Sequence, residues 1–471
     1  MEEVNTLVIS TNTHRLFGTD GVRGIVNEWL TPENALRLGL AIGSYLSRDC
    51  RVLVGCDGRA GNAFLVNSVI SGLLSAGVKV FFAGFTPTPA LQLYVKSHGF
   101  DAGIMVTASH NPPEYSGLKL VLSDGVEATR DVEEAVEELY HELTFRRVSW
   151  TESGYGVTKV DDVNDFYVEK ILDHVDVERI AQKKFKVVVD CANNVGSLTT
   201  PKLLRRLGCK VLTVNCDISH IPYRNPEPSS ENLGELSNII KSLGADLGVA
   251  HDGDADRAVF IDGLGRFIPG DRTAIILCEH ILSNKGLDIP KKVVTAISSS
   301  TLISEMLSKY GVEVIWTKVG SINIARTMIR EGSLLGFEEN GGFLYGRHQY
   351  VRDGAMATAL MLECLSFNNV GLHELYNKIP QTYLIKTKVT IDPRAKDEIM
   401  GMLKQKLVEV FASDKIVDID GVKVISTDYW FLVRPSGTEP IIRIFIEAKD
   451  GALANKLLNT IVTLTDEVIK K

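Results

Sequence analysis

Short runs of Val, Ile and Leu alternate with amphipathic stretches from Arg51 to about Ser366, an alternation that predicts an α/β fold. One helix shows the local logic: Thr31 suits the N-cap, Pro32 the first helical position, and Leu36, Leu40 and Ile42 begin an apolar face. The pattern then recurs. Gly77-Val78-Lys79-Val80, Gly208-Cys209-Lys210-Val211 and Gly311-Val312-Glu313-Val314 each close a helix with Gly and open a strand. An apolar strand precedes each (52–56, 187–189, 293–296), and a further helix and third strand come after (101–103, 246–248, 334–336). Three copies of β-α-β-α-β predict three related α/β domains, with mixed sheets and helices on both faces. Beyond about Tyr376 the rhythm changes to a strand at 387–391, a helix at 396–411, a strand pair around 418–426, strands at 430–434 and 441–447, and a closing helix. That segment reads as a smaller α+β domain. The expected divisions are 1–160, 161–262, 263–376 and 377–471, set around a central cleft.

Of the 471 residues 45% are hydrophobic and 23% charged, which excludes disorder as the main state. Uncharged apolar runs such as 80–85 and 274–278 are far shorter than the ~20 residues of a spanning helix. The opening Met1-Glu2-Glu3-Val4-Asn5 lacks the basic start of a secretion signal. A soluble, cytoplasmic protein without a membrane partner is expected. The net charge of −8, from 59 acids and 51 bases, argues against a nucleic-acid partner. Seven cysteines without a Cys-x-x-Cys pair argue against a disulfide framework and for a reducing compartment with buried, inert thiols.

The loop after the third strand of each copy carries the chemistry, because ligands of open α/β sheets bind beyond the carboxyl ends of strands. Copy one runs into Thr107-Ala108-Ser109-His110-Asn111-Pro112, copy two into Asp252-Gly253-Asp254-Ala255-Asp256-Arg257, and copy three into Glu338-Glu339-Asn340-Gly341-Gly342. Alternate carboxylates at Asp252, Asp254 and Asp256 suit a hard cation. They do not start an EF-hand, whose sixth and twelfth positions are here Arg257 and Gly263. No Gly-x-Ser-x-Gly elbow surrounds Ser109, and a serine beside a cation site suits phosphoryl transfer better than acyl transfer. Arg434, Ser436, Gly437 and Thr438, with Arg443 beyond, combine a guanidinium, hydroxyls and a Gly turn, a set suited to a phosphate monoester. Glu338 and Asn340 offer acceptors and donors with little bulk, as a reader of sugar hydroxyls requires. Lys119 and Lys318 are placed at the ends of strands, and Gly18 to Gly24 forms a Gly-rich loop carrying Arg23.

Taken in order, segments 17–24, 107–112, 117–119, 252–257, 318–320, 338–342 and 434–440 resemble the α-D-phosphohexomutase superfamily over almost the whole chain. The flavour is that of the archaeal phosphoglucomutases, phosphomannomutases and phosphoglucosamine mutases. The resemblance implies that Ser109 is a phosphoserine and that Mg²⁺ sits between it and Asp252, Asp254 and Asp256. It also implies a hexose 1,6-bisphosphate as intermediate and activator. By the same resemblance Lys119, Arg23 and His110 serve acid–base chemistry and charge stabilisation. Arg434, Ser436, Gly437 and Thr438 grip the non-reacting phosphate, and Glu338, Asn340, Lys318 and Arg257 contact substrate. The implied activity interconverts hexose 1- and 6-phosphates, with glucose or mannose narrowly favoured over glucosamine. A phosphopentomutase, a phosphoserine hydrolase and a non-catalytic sugar-phosphate binder are the alternatives. Two departures fall where specificity is decided: Ser321 replaces a frequent His, and the sugar loop has Asn340 and Gly342 where relatives carry Ser and His.

Overall fold

The computed structural model describes residues 15–153, 156–285, 289–392, 395–436 and 441–469. The helix Pro32–Tyr45 begins where the sequence predicts it, with the Thr31 hydroxyl accepting from Asn34 N at 3.3 Å.

The first sheet runs Val22–Ile25, Tyr115–Leu122, Ala102–Val106, Arg51–Cys56, Lys79–Phe85, Val157–Lys159. The second runs Phe267–Ile268, Ala258–Asp262, Leu247–His251, Lys186–Asp190, Lys210–Val214, and the third Phe343–Tyr345, Leu335–Phe337, Lys292–Ala296, Glu313–Thr317. Within each, the second, first and third strands of the repeat lie side by side and parallel, and an antiparallel strand returns beside the third. Each polar loop read from the sequence is therefore the turn into a return strand, anchored on both sides by a buried ladder. The first strands read as continuous apolar runs because both faces of the sheet are covered: Val52 to Val54 and Val187 to Val189 are fully buried.

Two details depart from expectation. Lys119 lies inside the strand Tyr115–Leu122, opposite Met105, rather than at a strand end, and it is 1% exposed. The two-residue strand Phe267–Ile268 continues the second sheet past position 262, and a strand that short leaves no readable alternation.

The fourth sheet is antiparallel throughout: Tyr383–Thr390, Ile441–Ala448, Tyr429–Pro435, Val422–Ile425, Lys415–Val417. The helices Lys396–Val410 and Gly451–Ile469 join it around a separate core that includes Leu403, Leu407, Phe431, Ile444 and Ile461. By contrast one continuous apolar cluster links the first three sheets, from Leu91 and Tyr167 through Val189 and Phe260 to Phe337 and Leu360. Its centre is the helix Gly354–Asn368, buried at every position from Gly354 to Ser366. Among the described residues no helix is long and apolar enough to cross a membrane.

Candidate active site

Ser109 is fully buried, in a left-handed conformation (φ +53°) that turns the chain sharply after the strand Ala102–Val106. Its N–H donates to Thr107 Oγ1 at 2.9 Å, and Thr107 in turn donates to Asp57 Oδ2 at 2.6 Å. Arg59 clamps the loop from beneath. Its guanidinium donates to the carbonyls of Ser109, Asn111 (2.8 Å), Pro112 (2.8 Å) and Tyr115 (3.1 Å), while Asp57 neutralises it from 3.2 Å. Four backbone acceptors on one planar fork fix the loop before any substrate arrives.

The aspartate loop meets this one directly. Ser109 Oγ donates to Asp252 Oδ2 at 2.7 Å. That approach requires Gly253, where a Cβ would lie 2.5 Å from Ser109 O. Asp254 Oδ2 accepts from Thr88 Oγ1 (2.6 Å) and Lys119 Nζ (2.9 Å), and Asp256 Oδ2 accepts from Lys119 Nζ (3.2 Å) and Arg352. The remaining oxygens, Asp254 Oδ1 and Asp256 Oδ1, are buried without a hydrogen-bond partner among the described residues, with Arg257 Nε 4.0 Å from Asp256 Oδ1. The three carboxylates bring ligand atoms within 4.8 Å of one another. Orientation of one oxygen by protein donors with the other left bare is the arrangement a metal ligand needs, and the all-oxygen set fits Mg²⁺. Burial and the charges of Asp256 and Asp254 push the Asp252 carboxyl well up, whereas Lys119 and Thr88 hold Asp254 at about 2 against its burial. Three acids in one buried turn call for a cation.

Lys119 also lies 3.4 Å from Asp20, and against its burial Asp20, Asp254 and Asp256 push its ammonium strongly up. Arg23 is held by Asp20 and Asn111. His110 Nδ1 lies 3.4 Å from Ser109 Oγ. Burial, then Arg257 and Arg23, drive its imidazole well below the usual range, so the ring is neutral at physiological pH. Arg257 pairs with Glu227 at 3.0 Å, and its buried Nε has no hydrogen-bond partner.

Glu338 joins this cluster through Arg352. One buried guanidinium donates to Glu338 Oε2 (2.8 Å), Asp20 Oδ2 (3.2 Å) and Asp256, tying together loops from the first, second and third sheets. Gly342 makes room for it, since a Cβ there would sit 2.4 Å from Arg352 Cδ. Asp353 caps the central helix by accepting Met356 N at 2.9 Å, which fixes the backbone beside Arg352. Asn340 Oδ1 accepts Gly342 N at 3.2 Å and shapes the same loop.

Lys318, Arg434 and Ser436 stand apart from the serine–aspartate cluster. Lys318 is exposed just past the strand Glu313–Thr317. Arg434, in the strand Tyr429–Pro435 and opposite Arg443, pairs with Asp420 at 2.9 Å, and Asp420 also accepts Val319 N at 3.2 Å. The buried Ser436 accepts the Lys396 ammonium at its carbonyl. Gly437 and Thr438 lie outside the described residues. Ser321 begins the helix Ser321–Glu331 and is buried with its hydroxyl unpartnered.

Comparison with known proteins matches all four sheets in turn. Residues 14–147, 165–265 and 269–383 match phosphoglucomutase/phosphomannomutase α/β/α domains I, II and III, and residues 384–464 match the C-terminal domain. The chain belongs to the phosphoglucomutase/phosphomannomutase family. It is 50% identical to a phosphoglucosamine/phosphogalactosamine mutase of Sulfurisphaera tokodaii, over 96% of this chain and 99% of that protein. It is 43% identical to a phosphoglucomutase/phosphomannomutase of Thermococcus kodakarensis, over 97% and 99%. A crystal structure of a phosphoglucomutase/phosphomannomutase family protein from Burkholderia thailandensis superposes with a TM-score of 0.85 at 26% identity, covering 96% of this chain and 97% of that one.

Within this phosphomutase fold the sequence pattern points to the residues of the third-strand loops and misses the groups that support them. Asp57, Arg59, Asp20, Thr88, Glu227 and Arg352 emerge only from the structure. A signal exists for two: Asp57-Gly58-Arg59 comes directly after the first strand of its repeat, also a carboxyl end. The equivalent loop of the second repeat reaches the same place, with Asn194 Oδ1 accepting Gly58 N at 2.6 Å.

Proposed function

We propose that this protein is a Mg²⁺-dependent phosphohexomutase with Ser109 as the phosphoryl carrier, acting on hexose and hexosamine phosphates alike. The observation that carries the reading is the Ser109 hydroxyl 2.7 Å from a carboxylate whose two loop partners each keep one bare, buried oxygen. Bound there, Mg²⁺ supplies neutralisation of charge on the phosphoryl group. The chain's own groups do the rest. Phosphorylated Ser109 faces the free hydroxyl of a sugar monophosphate, whose oxygen bonds to phosphorus as the bond to Oγ breaks. His110, next to Oγ, is placed to handle the hydroxyl proton. Lys119, held charged by three carboxylates, steadies the aspartates and the developing charge. Arg434 and Ser436 grip the phosphate that does not react, so the sugar reverses in place and returns its other phosphate to Ser109.

Breadth toward the sugar stems from the reader. Glu338 spends Oε2 on Arg352 and keeps Oε1 without a partner among the described residues. A bare carboxylate oxygen accepts equally from a sugar hydroxyl and from the ammonium of an amino sugar. The similarity to the Sulfurisphaera tokodaii mutase supports the amino-sugar half of this reading.

The test is turnover of glucose, mannose and glucosamine 1-phosphates with Mg²⁺ and a trace of glucose 1,6-bisphosphate, monitored by ³¹P NMR. Conversion to the 6-phosphates without free phosphate is expected, together with a phosphorylated Ser109 peptide. Release of inorganic phosphate alone would make the protein a hydrolase and overturn the proposal.

A further inference from the structure

Cys191 and Cys216 lie one and two residues beyond a pair of parallel neighbouring strands, Lys186–Asp190 and Lys210–Val214, in which Asp190 stands opposite Val214. Their sulfurs are 2.7 Å apart. That is closer than the ~3.5 Å at which non-bonded heavy atoms pack. Adjacent strands run ~4.8 Å apart, inside the ~4.4–6.8 Å between Cα atoms that a disulfide spans. All seven cysteines are free thiols, and among the described residues this is the one hydrogen bond between two of them. Absence of any Cys-x-x-Cys spacing therefore hides a pair that the sheet, not the sequence separation, brings together.

We propose that Cys191 and Cys216 are a redox-active pair that closes to a disulfide. Cys191 is fully buried and Cys216 only partly, so a small-molecule disulfide of the glutathione type meets Cys216 first. The Cys216 thiolate attacks one sulfur of the oxidant and expels the other half as a thiolate. Cys191, as its thiolate, then attacks Cys216 Sγ, forming the internal bond and expelling the second half. The two cysteine protons leave with the two small thiols, and two electrons pass from the pair to the oxidant. Each strand end already carries its cysteine to the other, so closure needs little backbone movement.

The bond anchors the start of segment 217–230, which leans on the active site. Arg224 in that segment pairs with Asp190 at 3.0 Å and donates to His251 O at 2.6 Å, and Glu227 pairs with Arg257. Joining positions 25 apart in sequence removes freedom from the unfolded chain, so the bridge stabilises the second domain.

The full-length protein, equilibrated with oxidised glutathione, is denatured, alkylated and mapped by mass spectrometry. Five alkylated cysteines and one Cys191–Cys216 cross-linked peptide are expected, with all seven alkylated after dithiothreitol. The melting temperature of the wild type should fall by several degrees on reduction, whereas Cys216→Ser should melt alike in both conditions. Seven alkylated thiols after oxidation, a stable mixed disulfide at Cys216, or a cross-link between another pair overturns the proposal. The mapping needs no variant, so a poorly folding Cys216→Ser does not blunt it.

Discussion

Where the first three domains meet, the contact is charged: Lys119 and Arg352 sit among Asp20, Asp254, Asp256 and Glu338, all under cover and within hydrogen-bonding reach. Where the fourth domain meets the third, the contact is an apolar patch of Ile297, Trp430 and Leu432. Lys423 crosses it to donate to the carbonyls of Ile297 (2.8 Å) and Ser299 (2.7 Å), and Arg272 crosses it to Glu447. The charged junction rests on a continuous core and holds the proposed reacting groups. Beside the apolar one Asp420 pairs with Arg434 and accepts Val319 N. Buried ion pairs are costly to leave half-made, so the first junction is rigid by necessity. The second junction holds a single such pair, Arg272–Glu447, beside a few backbone acceptors and one small patch, so it is the easier of the two to break and remake.

The sharpest way to break this contrast is at its reacting atom. Ser109→Ala should lower kcat by ~10³-fold or more while leaving the melting temperature unchanged, because among the described residues the hydroxyl hydrogen-bonds only Asp252 and His110. Full activity in that variant would remove Ser109 as carrier. Next in size is Arg59→Lys, which keeps the charge but cannot reach four carbonyls with one fork. Turnover should fall ~10²-fold with a loss of ~3 kcal/mol in stability, since buried Asp57 keeps the neutral donors Thr107 and Asn62 but loses its guanidinium partner. Denaturant melts and steady-state rates read both. An Arg59→Lys variant as stable and as active as the wild type would show that the serine loop holds itself.

A smaller and more selective effect is expected at Arg352. Arg352→Gln frees Glu338 from its tether and should raise KM for hexose phosphates ~10-fold, with kcat reduced less. Glu338→Gln should change KM similarly, and the double variant should lose less than the two singles together, because the residues act as a unit. Simple additivity would separate the sugar reader from the aspartate loop.

How far the sequence discloses this design depends on the kind of residue. Ser109 and the three aspartates are legible because each sits in a polar loop after a strand whose apolar run marks its end, and the three repeats point to the same topological place. Arg59 and Arg352 are not legible alone, since one arginine in a loop reads like any solvated cation, and only coordinates reveal four carbonyls or three carboxylates around it. Lys119 reads as a strand end because a strand buried on both faces gives no alternation to locate its limits. The cysteine pair is hidden for a related reason: lateral neighbours in a parallel sheet are separated in sequence by a whole helix.

The mildest effect on turnover, and the one that probes the apolar junction, is expected from Lys423→Met. The ammonium lies 4.2 Å from the ring centroid of Trp316 and 4.1 Å from that of Trp430. Burial draws it from 10.5 to about 7. Between those two values the unfolded chain keeps a proton that the folded protein has released. Stability of the junction therefore rises as pH climbs from 7 toward the ordinary lysine range, and is lost as pH falls back toward 7. Methionine keeps the length and the packing between the two indoles, but it removes two donors and the titrating group. At neutral pH kcat should change less than ~3-fold, because no reacting group moves. Leaving two buried carbonyls unsatisfied should cost ~1–3 kcal/mol in the melting of the fourth domain. The rise of melting temperature between about pH 7 and the ordinary lysine range seen in the wild type should flatten in the variant. A slope preserved in Lys423→Met would assign the titration to another group and leave the junction's strength to its apolar patch and the Arg272–Glu447 pair.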